Sequence, residues 1–455
     1  MLNYFEIIRR ALTGPYYTEE EFDLQVLVPK LREVVKKYGI RYDPENPIPS
    51  DEKLADDVFQ AALEFYTDVG TYCVDTGRVI RFTKEEIQGG LKAAPAAPVF
   101  GEGRDEKAMV ARKPESNIPP WCFVGAGGGI VSSEEMYVRL VEGYGRNPLV
   151  NSITAPTLTT INGMEIRAGS PLELLACIRS VGLAREALRW AQRPGLPIMN
   201  SIATAVTDTA KIGGSQFGLR PSDGWLIGSM AEMKITFQRM NEIAYVLARG
   251  GHVVAETSPV MGGYCGGPSG VAVVNAAYHL QCILVMRGSC QLTFPIHFNY
   301  SCNTGRDLLW AVSASSQAIS RNSHMPVLDL TYTAAGPMTD MCLYEIAAAV
   351  MTSVVSGASI EFGGVAKATK VDYLTPMEPK FASEVAHATP GMSREECNEI
   401  VKKLLPKYED RLADPPPGKK FQECYNLDSI EPCQEYIDLY SRIKEELTGY
   451  GLKFK

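Results

Sequence analysis

The fold is decided by one stretch, GHVVAETSPVMGGYCGGPSGVAVVNAAYHLQCILVM (251–286). It opens with HVVAE, a short β-branched run closed by Glu256. A glycine-rich loop, MGGYCGG (261–267), follows. The most apolar run of the chain comes next, broken by Asn275, His279 and Gln281. Those polar breaks mark a buried helix and not a membrane span. The stretch is one strand–loop–helix unit.

Working outward, the same alternation recurs. Further candidate strands are WCFVG (121–125), LVNSIT (149–154), LPIMNS (196–201), FPIHFNY (294–300), MPVLDLTY (325–332) and ASIEFGG (358–364). Helical patterns lie between them. Repeated strand–helix units predict a parallel sheet. Seven units are visible, and the length of about 250 residues suits a (β/α)8 TIM barrel. Its eighth strand has no obvious place. The expected organisation is a helical N-terminal extension and arm over 1–120, a TIM barrel over 121–390, and a helical C-terminal extension over 391–455.

Helix starts are marked by caps. Thr83 with Glu86 and Ser393 with Glu396 have capping-box spacing. Ser170, Pro171 and Glu173 combine an N-cap, a proline at N1 and the same box. Ser132 with Glu135 and Thr304 with Asp307 suggest two more starts. After Ser170, Leu174, Ile178, Val181 and Leu188 fall on one helical face. KLREVVKKYGI (30–40) and DDVFQAALEFYTDVGTYC (56–73) also have helical spacing. Residues 96–120, with AAPAAP across their start, a charged run and NIPP at their end, read as a long irregular arm and a candidate boundary.

The whole chain has 455 residues, 45% hydrophobic and 22% charged, enough for a sizeable buried core without staples. The net charge of −8 excludes a general nucleic-acid binder. The 11 cysteines are scattered without a CxxC pair, which points to reduced, buried thiols. The opening MLNYFEIIRRALTG is too short and too charged for a signal peptide. A cytoplasmic protein is expected, with no membrane or nucleic-acid partner.

In such a barrel, chemistry sits at the C-terminal ends of the strands. That rule selects Asn200, Glu256, His297, Asn299, Asp329, Tyr332 and Glu361, with the glycine clusters 125–129 and 262–267. Glu256 fits a general acid or base, a cation ligand, or a structural carboxylate paired with an arginine. GAGGG lacks GxGxxG spacing and no GKS/T occurs, so tight turns account for these glycines. The five histidines show no HExxH or HxH, and no metal site is expected. His279, inside an apolar helix pattern, reads as a satisfied core histidine.

Six runs carry a resemblance that goes further: CVDTGRVIRFTKEEI (73–87), GEGRD (101–105), MGGYCGG (261–267), CNTGRD (302–307), AAGPMTDMCLYE (334–345) and KFQECYNL (420–427). Together they resemble the monomethylamine:corrinoid methyltransferases of methanogenic archaea, in order along nearly the whole chain. The resemblance implies a TIM barrel, a homo-oligomer (a hexamer) and a partner corrinoid protein. No cofactor would be bound permanently, because the partner supplies the cobalamin-type corrinoid. The implied reaction moves a methyl group from a methylated amine or a related donor to cobalt.

The departures lie at the family's active site. Where the family carries pyrrolysine, three residues after RPG, this chain has Met199. A family glutamate matches Leu226, and a family glutamine ahead of AGP matches Leu330. The glutamate before the glycine loop is kept as Glu256. The run after Met199, NSIATAVTDT, also diverges. Pyrrolysine offers an electrophilic imine that holds an amine; a thioether does not. A quaternary ammonium or sulfonium donor already has an activated methyl and needs only a cation-tolerant pocket and alignment. Tyr264 and Tyr332 either face such a cation or pack the barrel mouth. Three readings follow: a pyrrolysine-free methyltransferase, a non-catalytic barrel that keeps partner binding, or a lyase using Glu256 as base.

Overall fold

The computed structural model describes residues 3–200 and 202–454. Met1 and Leu2 of the N-terminal run, Ser201 at the end of LPIMNS, and Lys455 lie outside the described residues. Eight strands form one sheet: β1 (Cys122–Val124), β2 (Ser152–Ile153), β3 (Met199–Asn200), β4 (Gly224–Gly228), β5 (His252–Thr257), β6 (Cys290–Thr293), β7 (Val327–Thr333) and β8 (Ser359–Val365). Their order is β3-β4-β5-β6-β7-β8-β1-β2. Every neighbouring pair is parallel. A parallel bridge between Ile153 and Ile198 joins β2 to β3, and the Ile153 N–H donates to Pro197 O at 3.1 Å. The ring closes through this bridge.

A helix follows each strand: α1 (Glu134–Gly145), α2 (Pro171–Trp190), α3 (Asp208–Ser215), α4 (Phe237–Ala248), α5 (Pro268–Leu284), α6 (Arg306–Asn322), α7 (Asp340–Val355) and α8 (Met377–Ala388). This is the expected TIM barrel. The strand missing from the sequence reading is β4. It is five residues long, ends in glycine on both sides and is apolar on both faces, so its sequence shows no alternation. FPIHFNY was misplaced. The barrel strand is β6, just before it, and Pro295 has no N–H to continue the ladder. Ile296–His297 pairs instead with Val260–Met261, outside the barrel sheet.

Other starts also shift. Ser133, not Ser132, caps α1. Gly305, not Thr304, caps α6, because the Thr304 hydroxyl is committed to Glu345. Thr83–Glu86 and Ser393–Glu396 form complete capping boxes. Ser170 caps α2 with Pro171 at N1. Glu173 makes no box there; it accepts from the N–H groups of Gly169, Val206 and Thr207 at 2.6–2.9 Å. On α2 Val181 and Leu188 are buried but Leu174 is exposed. The buried face is made of small residues such as Ala176, Ala184 and Ala187, which let neighbouring helices approach closely. The 56–73 pattern ends its helix at Val69, and Thr71–Cys73 turns into a strand.

Outside the barrel, the helix Glu52–Val69 buries Ala55, Val58, Phe59, Ala62, Phe65, Tyr66 and Val69 against α5 and α6. The i, i+3, i+4 spacing of these residues builds that face. Helices Arg394–Leu404 and Gln434–Gly449 pack on α7. No helix of the described residues is long and apolar enough to cross a membrane.

The arm 96–120 is less irregular than its composition suggests. Val99–Phe100 pairs with Lys107–Ala108 as a small hairpin. Phe100 and Met109 enter the barrel interior beside Trp121, Phe123, Met199 and Val254. The Phe100 ring lies 5.7 Å from Trp121 and 4.5 Å from His252, at the N-terminal ends of the strands. GEGRD (101–105) holds the plug in place. Gly101 N–H donates to Ser222 O at 2.8 Å, Glu102 N–H to Gly195 O at 3.0 Å, and Asp105 pairs with Arg193.

Candidate active site

Side chains alternate along a strand, so residues two apart share a face. Leu226 and Gly228 on β4, Val254 and Glu256 on β5, Leu292 on β6, Leu328 and Leu330 on β7, and Glu361 and Gly363 on β8 share the inner face of the barrel. Register aligns Gly228 with Glu256, Glu256 with Leu292, and Leu330 with Glu361. A register shift between Thr331 and Tyr332 then sets Tyr332 opposite Gly364. Such an irregularity re-aims a side chain at a barrel rim.

These residues enclose a cavity of about 470 Å³ at the C-terminal mouth. Its walls are Leu226, Glu256, Phe294, Leu330, Tyr332 and Glu361, with Thr154, Ser301 and Thr369 also lining it. The Phe294 and Tyr332 rings meet edge-to-face at 5.3 Å. Two glycines make the room. A Cβ on Gly363 would lie 2.6 Å from Leu330 Cγ, and one on Gly228 would lie 3.3 Å from Glu256 Oε2. Met199 does not line the cavity. It is fully buried, in the apolar interior that also holds Phe123, Val254, Leu292 and Leu328.

Two carboxyl groups therefore open onto one largely apolar chamber. Glu361 is 3% exposed, and its Oε2 has no hydrogen-bond partner among the described residues. Burial, reinforced by repulsion from Glu256, pushes its carboxyl well above the usual range. Burial also pushes Glu256 up, while Arg239 and Lys211 act in the opposite direction from a distance. Among the described residues no arginine, lysine or histidine forms an ion pair with either group. The reading of Glu256 as a carboxylate paired with an arginine therefore falls. Leaving a buried ionised carboxylate unpaired is costly, so such a group either keeps a proton or meets a cation.

The remaining sequence candidates divide clearly. Leu226, Leu330 and Tyr332 join Glu256 at the cavity. Tyr264 does not, which corrects its expected placement. Its loop folds outward against Leu24 and Val28, where the ring is 44% exposed and lies 5.7 Å from the Lys234 ammonium. Asp329 points outward, accepting from Thr293 at 2.8 Å and Ser316 at 2.9 Å, with burial raising its pKa to about 6. It ties β6 and β7 to α6. Asn200 accepts from Thr154 at 3.1 Å. His297 stacks on Tyr300 at 4.2 Å and accepts from the Asn299 N–H. His279 is a satisfied core histidine, bonded to Gln291 and Ser323 at 2.8 Å each. Phe294 was missed because its run was read as one strand. Glu361 stood in the strand-end selection, but nothing in the sequence paired it with Glu256.

Behind the mouth, one carboxyl binds two of the motifs together. Glu345 accepts from the N–H groups of Ala334 at 2.7 Å and Ala335 at 2.9 Å, and from the Thr304 hydroxyl. It thus joins CNTGRD to AAGPMTDMCLYE. Burial raises its pKa to about 7 in spite of these bonds.

The family model described as monomethylamine methyltransferase MtmB matches residues 2–452. The chain is similar to monomethylamine methyltransferase MtmB of Methanosarcina mazei, 31% identical over 453 residues, 99% of this chain and 98% of that one. It is 30% identical over 455 residues to MtmB2 of Methanosarcina barkeri, with the same coverage. The crystal structure of the Methanosarcina barkeri monomethylamine methyltransferase superposes with a TM-score of 0.95 at 29% identity, covering 99% of this chain and 98% of that one. The structure of a hydroxylamine complex of MtmB matches with the same values.

Proposed function

The chain belongs to the monomethylamine methyltransferase MtmB family, and from that premise we propose that it is a pyrrolysine-independent, corrinoid-dependent methyltransferase. It takes a methyl group from a methylated amine or a related donor, quaternary compounds included, and passes it to the cobalt of a partner corrinoid protein. The observation that carries this reading is the cavity at the barrel mouth, with Glu256 on its wall and no electrophile in it. Met199, at the family's pyrrolysine position, lies buried in the interior and offers only a thioether. The chain's own residues therefore bind and orient a donor that is already activated. Leu226, Leu330, Phe294 and Tyr332 exclude water and hold the methyl-bearing group, and Glu256 faces its charge.

In the same reading no cofactor is permanently bound, the corrinoid arrives as co-substrate, and the chain works in the cytoplasm as a homo-oligomer. The test is methylation of the reduced corrinoid, followed by absorbance, against a panel of methylated ammonium and sulfonium compounds. A fully alkylated cation is expected to react and monomethylamine to react poorly. Efficient transfer from monomethylamine would overturn the reading. The replacement of three polar family positions by Met199, Leu226 and Leu330 favours one alternative, a non-catalytic barrel that keeps partner binding. Failure of every donor with a competent partner would select it.

A further inference from the structure

We propose that Glu361 and Glu256 form a two-carboxylate receptor for a fixed-charge cation, and that they release a proton when the cation binds. The inference deepens the methyltransferase reading by naming the donor class, and it rests on that reading for the chemistry that follows binding.

The geometry supplies the argument. Glu361 is buried, opens onto the mouth cavity and, among the described residues, leaves its Oε2 unpartnered. Glu256 lines the same cavity from β5, three strands away in the barrel order. The groups facing this pair are few. Cys290 on β6 and Tyr332 on β7 are neutral neighbours, and Arg239 on α4 and Lys211 on α3 act on Glu256 through their charge without an ion pair. From β1 the residue in register with Glu361 is Phe123. Two acids lining one largely apolar chamber do not both ionise readily, so in the absence of a cation at least one proton stays on the pair. A cation removes the reason for keeping it.

The shape argues for a fully alkylated cation over a primary ammonium. The chamber of about 470 Å³ falls in the range that holds much larger ligands than a one-carbon amine. Its walls of Leu226, Leu330, Phe294 and Tyr332 suit an alkyl shell with no N–H donors to satisfy, and an aromatic face attracts a positive charge. In the transfer step the donor's carbon–nitrogen or carbon–sulfur bond breaks. The electron pair stays on the heteroatom, which leaves as a neutral amine or thioether. The methyl carbon takes its new bond from the reduced corrinoid of the partner. No proton is consumed, so the one released on binding returns to the pair when the neutral product leaves.

The test is calorimetric titration of the full chain with choline, and with 3,3-dimethyl-1-butanol as its neutral carbon isostere. Buffers of different ionisation enthalpy report the protons released. Choline is expected to bind with release of up to one proton, so its Kd falls by up to tenfold per pH unit while the pair is titrating. The neutral isostere is expected to bind at least tenfold more weakly. Glu361→Gln is expected to lose at least tenfold in choline affinity at alkaline pH and to flatten the pH dependence. Glu256→Gln is expected to do the same, which keeps the test open if one variant does not fold. Equal binding of the isostere, a Kd indifferent to pH, or unchanged affinity in both variants would overturn the proposal. The assay needs no corrinoid partner. Proton-coupled choline binding without methyl transfer would support the receptor and sink the methyltransferase reading. Transfer from a donor with no cation binding would do the reverse.

Discussion

Replacing Glu345 by Gln or Ala separates two things that one carboxyl does at once. Its three hydrogen-bond donors, the N–H groups of Ala334 and Ala335 and the Thr304 hydroxyl, hold two loops behind the mouth. Its burial raises its pKa from 4.5 to about 7. The folded state thus binds this proton more tightly than the unfolded chain does. Stability from it is fully present below the unfolded pKa and is lost as pH rises through the folded one. Over a window from about pH 5 to about pH 8 the loss works out at about 2–3 kcal/mol. Glu345→Gln has no such proton and offers one carbonyl oxygen in place of two acceptors, a loss that is the same at every pH. The stability of the wild type minus that of Glu345→Gln is therefore expected to fall by about 2–3 kcal/mol across that window. The other buried acids are common to both proteins and cancel in the difference. Glu345→Ala leaves three buried donors unmet, at about 1 kcal/mol or more each, and is expected to cost about 3 kcal/mol or more at any pH. Urea unfolding at the two pH values measures both effects from midpoint and slope. Parallel pH profiles for wild type and Glu345→Gln would refute the titration argument. A cost below about 1 kcal/mol for Glu345→Ala would show that the loops hold without it.

Three further outcomes are expected. Phe100→Ala empties the plug beneath the barrel and should cost about 3–5 kcal/mol in urea unfolding, as large-to-small core changes do; a cost under about 1 kcal/mol would mean the hairpin does not seal the interior. Gly228→Ala sets a methyl 3.3 Å from Glu256 Oε2 and should lower donor binding several-fold while Tm changes little; unchanged binding would show that the carboxylate yields freely. Tyr264→Ala should leave donor binding and turnover at wild-type levels, because the ring lies outside the cavity; a loss of tenfold would return it to the site.

Much of this arrangement is readable from the chain because it depends on local chemistry. The alternation of β-branched runs with capped helices exposes six of the eight barrel strands, and Glu256 declares itself near the end of one of them. What escapes has no local signature. Strand β4 is too short and too uniformly apolar to alternate. Phe294 is hidden because Pro295 ends a ladder inside what reads as one apolar run. Glu361 becomes meaningful only through Glu256, more than a hundred residues earlier, and only closure of the ring brings them together. Tyr264 misleads for the opposite reason: a glycine-rich loop beside the site carries no information about which way it folds.

The hairpin under the barrel bears on the order of events. With Phe100, Met109 and Trp121 filling the interior at the far end, the described residues leave the chamber its doorway at the mouth. In the methyltransferase reading, donor, spent amine and corrinoid partner must all use it. A docked partner closes the exit behind the donor, and an early partner bars its entry. Turnover then follows a compulsory sequence of donor on, partner on, partner off, product off. A surplus of corrinoid protein becomes an inhibitor, competitive with the very donor whose methyl group it is waiting to receive.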